Sequence, residues 1–330
     1  MQRSSLLERI KTVKDQHFTA LTLDVFRYQA ENNPVYRKFL ELLGINQAEI
    51  QRIEDIPFLP IELFKEYELQ SGQWPAQQIF SSSGTTGSAT SKHLVRDTQW
   101  YLENARRGFE YFYGDLKDFV ILALLPSYLE RQGSSLILMA QDFIEQSQSA
   151  RGGFYLYNQE ELIKHLQSIQ EEQPMTKILL LGVSFALLDL AEANSIDLGN
   201  VIIMETGGMK GRREEITRTE LHQRLKLAFH QENIHSEYGM TELFSQAYSK
   251  GEGLFLPAPT MRVLAREITD PLQLQSEQRT GVLNIIDLAN LDTISFIATE
   301  DLGKVHADGS FEILGRLDAS DVRGCNLRVI

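Results

Sequence analysis

Five short apolar runs, each as long as a β-strand, constrain the fold of this chain most. They lie at 119–125, 177–183, 200–204, 282–286 and 294–298. The first three are continuously apolar, which is typical of strands that helices cover on both faces. Segments with a helical period lie between and around them, at 98–112, 159–172, 184–195 and 212–229. This alternation of strands and helices predicts an α/β fold class.

The two ends of the chain differ from this central part. Apolar positions in residues 1–70 follow a helical period, whereas short strands dominate from about residue 250 onward. No linker separates these parts by composition. We therefore expect one large domain over 1–330, with an α/β core at 71–250 and a small β-rich lobe at 251–330.

The overall composition argues against several classes of protein. The 32 basic and 45 acidic residues give a net charge of -13, and nucleic acids bind basic surfaces, so we expect no nucleic-acid partner. The longest apolar run, 119–125, falls well short of the roughly 20 residues of a membrane-spanning helix. Glu8 and Arg9 stand where a signal peptide is apolar. A single cysteine leaves no intrachain disulfide, so we expect a cytoplasmic protein.

A segment rich in serine, threonine and glycine, residues 80–92, is a candidate phosphate-binding loop. Two glycines permit a tight turn, and the hydroxyl and backbone N–H groups around them can donate to phosphate oxygens beside a lysine counter-charge. The candidate residues are Ser82, Ser83, Gly84, Thr85, Thr86, Gly87 and Lys92. His93, which follows the lysine, is a further candidate for a phosphate contact. A solvated surface loop has a similar composition, so composition alone leaves both interpretations open.

The order of residues in this segment resembles the phosphate loop of the adenylate-forming superfamily, which includes acyl-CoA synthetases, adenylation domains and luciferases. Further stretches resemble that superfamily's motifs and follow in the same order. They are Glu205-Thr-Gly-Gly208, Glu237-Tyr-Gly-Met-Thr-Glu242, Thr299-Glu-Asp-Leu-Gly303 and Gly315-Arg-Leu-Asp318. Glu300 stands where the superfamily has a glycine. The resemblance implies an adenylate-forming large domain built of α/β sublobes and a small β-rich lobe.

The resemblance also implies ATP and Mg²⁺ as cofactors and a role for several residues. Thr241 would contact the phosphates, Glu242 would bind Mg²⁺, and Asp301 would bind the ribose. The implied nucleotide-binding set also includes Thr206, Gly207, Gly208, Glu237, Tyr238, Gly239, Met240 and Arg316. We expect Lys92 and Arg316 to neutralise phosphate charge. The candidate catalytic residues are then Lys92, Thr241, Glu242, Arg316 and Cys325.

The chain ends 12 residues after Asp318, where most members of the superfamily continue as a mobile C-terminal domain with a catalytic lysine. We therefore expect this chain to lack that domain. The short form resembles the LuxE-type acyl-protein synthetases of bacterial bioluminescence, a branch close to the phenylacetate-CoA ligases. So does the Pro-x-x-Pro-x-x-x-Phe-Lys pattern at 57–65. That branch implies activation of a fatty acid with ATP, transfer to an enzyme cysteine and delivery to a partner protein.

Cys325, the one cysteine of the chain, lies where that branch needs an acyl-carrying thiol. Arg323 and Arg328 are near in sequence and would favour the thiolate, whereas a lone cysteine is usually a small buried hydrophobe. We expect a fatty or aryl carboxylic acid as substrate and an acyl-reductase or acyl-transferase as protein partner. Two alternatives stay open. One is a ligase that transfers the acyl group to CoA or a carrier protein, with Cys325 only structural; the other is a non-catalytic nucleotide-binding protein.

Overall fold

The structure is a computed structural model that describes residues 2–82, 90–125, 133–155, 158–208, 216–276 and 278–317. Its helices are α1 (Arg3–Lys11), α2 (Asp15–Asn32), α3 (Pro34–Leu42), α4 (Leu63–Glu66), α5 (Thr98–Tyr113), α6 (Ser135–Ser147), α7 (Gln159–Glu172), α8 (Ser184–Ala193) and α9 (Arg218–Phe229). Its strands are β1 (Leu59–Pro60), β2 (Gln78–Ser81), β3 (Lys92–Val95), β4 (Phe119–Leu124), β5 (Gly153–Tyr155), β6 (Lys177–Val183), β7 (Val201–Thr206), β8 (His235–Tyr238), β9 (Ala247–Ser249), β10 (Leu254–Pro257), β11 (Met261–Arg266), β12 (Gly281–Asp287), β13 (Phe296–Val305) and β14 (Phe311–Arg316). Within these described ranges, no helix is long and apolar enough to cross a membrane.

Contacts within the chain define two compact units. The first combines Met1–Pro75 with Pro259–Ile330, and the second is Ala76–Ala258. The second unit therefore holds the central apolar strands, while the first holds the N-terminal helices and the last strands. The organisation expected from the sequence, one domain over 1–330, stays a prediction.

A mostly parallel sheet forms the centre of the second unit. Its strands lie in the order β5-β4-β6-β7-β8-β9-β10, parallel from β5 to β8 and antiparallel beyond β8. β4 is buried along its whole length, and β6 is buried beyond Lys177, as their continuous apolar runs predict. The helix predicted at 159–172 coincides with α7, and the strand predicted at 177–183 coincides with β6. The predicted α/β fold class is confirmed.

β7 extends two residues further than predicted. The sequence indicated a strand that ends at Met204, but parallel pairing continues through Glu205 to Thr206. A polar side chain is retained at the end of a buried strand where hydrogen-bond partners satisfy it, and both residues have such partners in this unit. The predicted glycine turn therefore begins at Gly207, whose φ of 71° is a conformation that glycine adopts without steric cost.

β2 and β3 form a separate two-stranded antiparallel sheet, which we call the β2–β3 hairpin. In its register Phe80 faces His93, and Ser81 faces Lys92. Ser82 follows β2 and Lys92 begins β3, so this hairpin carries the two ends of the predicted phosphate loop. The other predicted loop residues, Ser83, Gly84, Thr85, Thr86 and Gly87, lie outside the described residues.

An antiparallel sheet and the helices α1 to α3 form the first unit. The strands lie in the order β11-β12-β13-β14, and β1 pairs with β13 in parallel. The rings of Phe26, Tyr36 and Phe58 lie 6.0 to 6.1 Å, centroid to centroid, from the ring of Phe296 on β13. This aromatic cluster joins the N-terminal helices to the sheet, and α1 to α4 lie in the part of the chain for which the sequence predicts helices.

Gln29 is a fully buried amide that ties α2 to the segment before β13. Its Nε2 donates to the carbonyl oxygens of Asn290 at 3.0 Å and Leu291 at 3.1 Å, and its Oε1 accepts from the Ser295 backbone N–H at 2.9 Å. One side chain therefore satisfies backbone groups that the surrounding apolar core cannot satisfy.

We expect Gln29→Met to lower the free energy of unfolding by about 3 kcal/mol, because the volume is kept while buried donors and acceptors lose their partner. The measurement is urea unfolding of both proteins. Gln16→Met, an exposed change of the same kind on the same helix, should cost well under about 1 kcal/mol. Equal losses in the two variants would contradict an anchoring role for Gln29.

Candidate functional site

The candidate site of the second unit lies at the carboxyl ends of its parallel strands. β6 is followed by Ser184, β7 by the turn at Gly207, and β8 by the stretch 239–242. Open α/β sheets bind ligands at this edge, because the loops that follow neighbouring strands meet there. The sequence motifs at 205–208 and 237–242 are thereby brought together, as consecutive loops of adjacent strands.

Glu237 is a buried carboxyl group at the end of β8. It pairs in register with Thr206 of β7, whose hydroxyl donates to Glu237 Oε2. Burial raises the pKa of Glu237 to about 7, and the negative charge of Glu205 acts in the same direction against the Thr206 hydrogen bond. A Cβ at position 239 would overlap Glu237 Oε1, so the glycine of the Tyr-Gly-Met-Thr-Glu motif makes room for this carboxyl.

Glu205 is also buried, but its surroundings favour the ionised form. Burial would raise its pKa, yet a hydrogen bond with His222 and the positive charge of Arg218 outweigh that effect and lower it. Arg218 Nε lies 3.1 Å from Glu205 Oε1, and the Ser184 hydroxyl donates to Glu205 Oε2 at 3.0 Å. Ser184 Oγ is also 3.0 Å from the Gly207 carbonyl oxygen, so these contacts surround the start of the glycine turn.

Sequence reasoning did not single out the partners of Glu205. Ser184 and Arg218 lie 21 and 13 residues away in sequence, and nothing in the local pattern links them. One signal was available for Ser184, since it follows the continuous apolar run of β6 directly. Polar residues at that position of a parallel strand face the ligand-binding edge of the sheet.

The turn at Thr241 and Glu242 contacts the β2–β3 hairpin through His93. The ring nitrogen Nδ1 of His93 lies 2.8 Å from the Thr241 carbonyl oxygen. The His93 side chain is fully buried, and burial lowers its pKa to about 4, against the opposing effect of the Thr241 carbonyl. The structure thus shows a contact between His93 and the backbone of Thr241. The sequence had instead suggested a contact between His93 and a phosphate.

The remaining predicted residues of the second unit lie around this turn. Glu242 is a buried residue with a relative exposure of 7%, and the Tyr238 ring packs edge-on against Phe255 at a centroid distance of 6.1 Å. Ser82 Oγ accepts from the Ser91 backbone N–H at 2.9 Å at the loop end of the hairpin. The other predicted residues of this unit are exposed at Lys92, Gly207 and Gly239, and half-buried at Gly208, Met240 and Thr241.

Asp301 and Arg316 belong to the first unit, where they face each other in register on β13 and β14. Arg316 Nη2 donates to Glu300 Oε2 at 2.7 Å. Glu300, which stands in place of a glycine, lies inside β13, in the stretch between Ala298 and Leu302 where the register with β12 is irregular. The register with β14 shifts after Leu302. Cys325 lies outside the described residues.

The described side chains form no group of three or more His, Cys, Asp or Glu residues that could hold a metal ion. Mg²⁺ in phosphate-binding enzymes needs only one or two protein carboxylates, because substrate phosphates and water supply the other ligands. A single carboxylate such as Glu242, next to a candidate phosphate-contacting threonine, fits that donor set.

The fold of this chain is similar to that of several solved structures. No family model and no curated protein matches the chain. The 2-hydroxyisobutyryl-CoA ligase, solved with 2-HIB-AMP and CoA, is 15% identical with a TM-score of 0.67, over 94% of this chain and 71% of the ligase. The chain has the fold of the adenylate-forming enzymes. The predicted fold is therefore confirmed, whereas the LuxE-type branch stays a prediction.

A second group of similar structures comes from MatB. ATP-bound MatB from Rhodopseudomonas palustris is 16% identical with a TM-score of 0.54, over 72% of this chain and 47% of MatB. An ATP-bound RpMatB-BxBclM chimera gives 15% identity and a TM-score of 0.56, over 74% of this chain and 49% of the chimera. This chain spans about half the length of these MatB structures. At such identities the similarity shows the adenylate-forming fold alone.

The raised pKa of Glu237 predicts how the stability of the protein depends on pH. A folded-state pKa of about 7 against an ordinary value of 4.5 means that folded protein keeps a proton that unfolded protein loses. Stability from this group is therefore full below pH 4.5 and falls by about 3 kcal/mol as pH rises towards 7. Glu237→Gln keeps the Thr206 acceptor without the charge, so we expect it to remove this fall.

The measurement is urea unfolding of wild type and Glu237→Gln at several values from roughly pH 5 to 8. Glu232→Gln, an exposed change of the same chemistry, is the control and should follow the wild-type curve. Parallel curves for wild type and Glu237→Gln would show that Glu237 is already ionised in the folded protein.

Proposed function

We propose that this protein activates a carboxylic acid with ATP to form an acyl-adenylate and then transfers the acyl group to a thiol. The observation that carries the proposal is the placement of the Glu237–Glu242 motif beside the Gly207 turn, at the ligand-binding edge of an adenylate-forming fold. The β2–β3 hairpin, which bears the ends of the phosphate-loop motif, meets the same motif through His93. The fold and these two motif positions support the proposal of one nucleotide site in the second unit.

In the first step, a substrate carboxylate oxygen forms a bond to the α-phosphorus of ATP while the bond to pyrophosphate breaks. The carboxylate is already ionised, so no general base is needed, and the barrier comes from crowding of negative charge. The proposed donors are the Ser82–Gly87 loop and Thr241, with positive charge from Lys92 and Arg316. Bound Mg²⁺ would neutralise phosphate charge, and Glu242 is the residue proposed to hold it.

The proposed nucleotide pocket uses the loops that follow β7 and β8. Thr206, Gly207 and Gly208 would lie along the adenine, with Tyr238 stacking beside it and Asp301 on the ribose. Support comes from two features of the described residues: the turn at Gly207 leaves its backbone exposed, and the glycine at 239 lets Glu237 stay buried beneath the motif. Met240 is proposed to complete the pocket wall.

In the second step, a thiolate attacks the carbonyl carbon of the acyl-adenylate and AMP leaves. Cys325 is the thiol that we propose, because it is the chain's one cysteine and lies near Arg323 and Arg328 in sequence. A fatty or aryl acid would then pass through Cys325 to an acyl-reductase or acyl-transferase partner, in the cytoplasm.

One observation favours a second candidate acceptor. The 2-hydroxyisobutyryl-CoA ligase structure contains CoA together with 2-HIB-AMP. A CoA or carrier-protein thiol is therefore the rival acceptor, with Cys325 structural. Both candidates share the adenylation step, and they differ in whether the acyl group is ever attached to the protein.

Adenylation predicts that the protein exchanges radiolabelled pyrophosphate into ATP when a suitable carboxylic acid is present. We expect Glu242→Gln to lower the exchange rate about 100-fold, because the loss of one preorganised charge contact costs about 3 kcal/mol of the barrier. Glu171→Gln, an exposed change of the same chemistry, should leave the rate unchanged. Wild-type protein that exchanges with no fatty, aryl or hydroxy acid would refute the catalytic proposal and favour a non-catalytic nucleotide-binding protein.

Attachment of the acyl group to the protein separates the two acceptors. After incubation with Mg-ATP and the active acid, intact-protein mass spectrometry should reveal an acyl adduct that hydroxylamine removes. Cys325→Ser should lose this adduct and keep pyrophosphate exchange, because the first step does not use the thiol. Turnover of Cys325→Ser with added CoA at the wild-type rate, without any wild-type adduct, would establish the rival.

A further inference from the structure

We propose that His93 is a positioning residue, which sets the Thr241–Glu242 turn against the loop end of the β2–β3 hairpin. This inference rests on the proposed function, because it assigns His93 to the alignment of that site. It starts from the hairpin itself. Successive side chains of a strand point to opposite faces, so at the start of β3 Lys92 is exposed while His93 is fully buried.

The hydrogen bond of His93 has a defined direction. Nδ1 lies 2.8 Å from the Thr241 carbonyl oxygen, and a carbonyl oxygen only accepts, so Nδ1 must carry the proton. This fixes the tautomer of the ring. The bond joins residues 148 positions apart in sequence, and it holds the backbone of the residue that precedes Glu242.

Aromatic neighbours hold the His93 ring in the orientation that this bond needs. Its centroid lies 4.8 Å from that of Phe244, three residues beyond Thr241, and 6.4 Å from that of Phe80 on the paired strand. Tyr101 of α5 contacts both of these phenylalanines, at 5.2 and 4.8 Å. The aromatic rings pack against one another but do not fix the position of the turn at 241–242. The hydrogen bond from Nδ1–H fixes the position of the Thr241 carbonyl oxygen.

Two variants separate the packing of the ring from its hydrogen bond. His93→Phe keeps an aromatic ring in the cluster and loses the donor. His93→Asn loses the ring, but its side-chain N–H₂ occupies nearly the position of Nδ1 and can still donate to the Thr241 carbonyl. A residue that served stability alone would make activity follow stability, with His93→Phe the better enzyme. A positioning residue reverses that order.

We therefore expect His93→Phe to unfold at a higher urea concentration than His93→Asn but to exchange pyrophosphate at least tenfold more slowly than wild type. His93→Asn should retain most of the wild-type kcat for exchange at a temperature where it is folded. Activity that follows the order of stability, or a wild-type rate in His93→Phe, would overturn the proposal.

Two readouts do not depend on catalysis, so failure of the proposed function and failure of this inference remain distinguishable. Long-range ¹H–¹⁵N correlation spectra of wild type should give His93 as the Nδ1–H tautomer; the Nε2–H tautomer would overturn the proposal. Hydrogen exchange at the amides of 241–243 should accelerate in His93→Phe relative to wild type and recover in His93→Asn. Unchanged exchange in His93→Phe would show that the turn does not depend on this bond.

Discussion

The arrangement of the second unit depends on the burial of two carboxyl groups at the ends of neighbouring strands. Glu205 on β7 and Glu237 on β8 lie one register position apart, and two unscreened negative charges there would be costly. The structure avoids this repulsion by giving the two buried carboxyl groups unequal polar and charged partners. Arg218, His222 and Ser184 surround Glu205, whereas Glu237 has the Thr206 hydroxyl and a raised pKa.

The polar partners of Glu205 also determine how α8 and α9 are positioned. Because Arg218 begins α9 and Ser184 begins α8, the partners of Glu205 fix the starts of both helices relative to the end of β7. The Ser184 hydroxyl, which contacts Glu205, also lies within hydrogen-bond distance of the Gly207 carbonyl oxygen. This contact holds the start of the glycine turn, while Gly207 itself stays exposed. The buried groups of Ser184 and Glu205 beneath it have hydrogen-bond partners.

The sequence predicted the regular part of this architecture and the motif positions, but not the contacts that orient them. Continuous apolar runs identified β4 and β6 because burial on both faces leaves no polar residue to interrupt the pattern. β7 was predicted two residues too short, since Glu205 and Thr206 read as loop until their distant partners are known. His93 shows the same limit: the residues around it suggested phosphate, while its burial and its bond to Thr241 depend on chain segments far apart in sequence.

Glu300 is the position where this chain departs from the superfamily's motif, and its surroundings decide whether the departure opposes the role proposed for Arg316. The Arg316 side chain is 65% exposed in its 2.7 Å contact with Glu300. Exposed ion pairs contribute at most about 1 kcal/mol, because water solvates both partners when they separate. A phosphate offers a guanidinium a stronger, bidentate partner. Exchange of Glu300 for a phosphate would therefore cost Arg316 little, so this ion pair does not oppose the role proposed for Arg316.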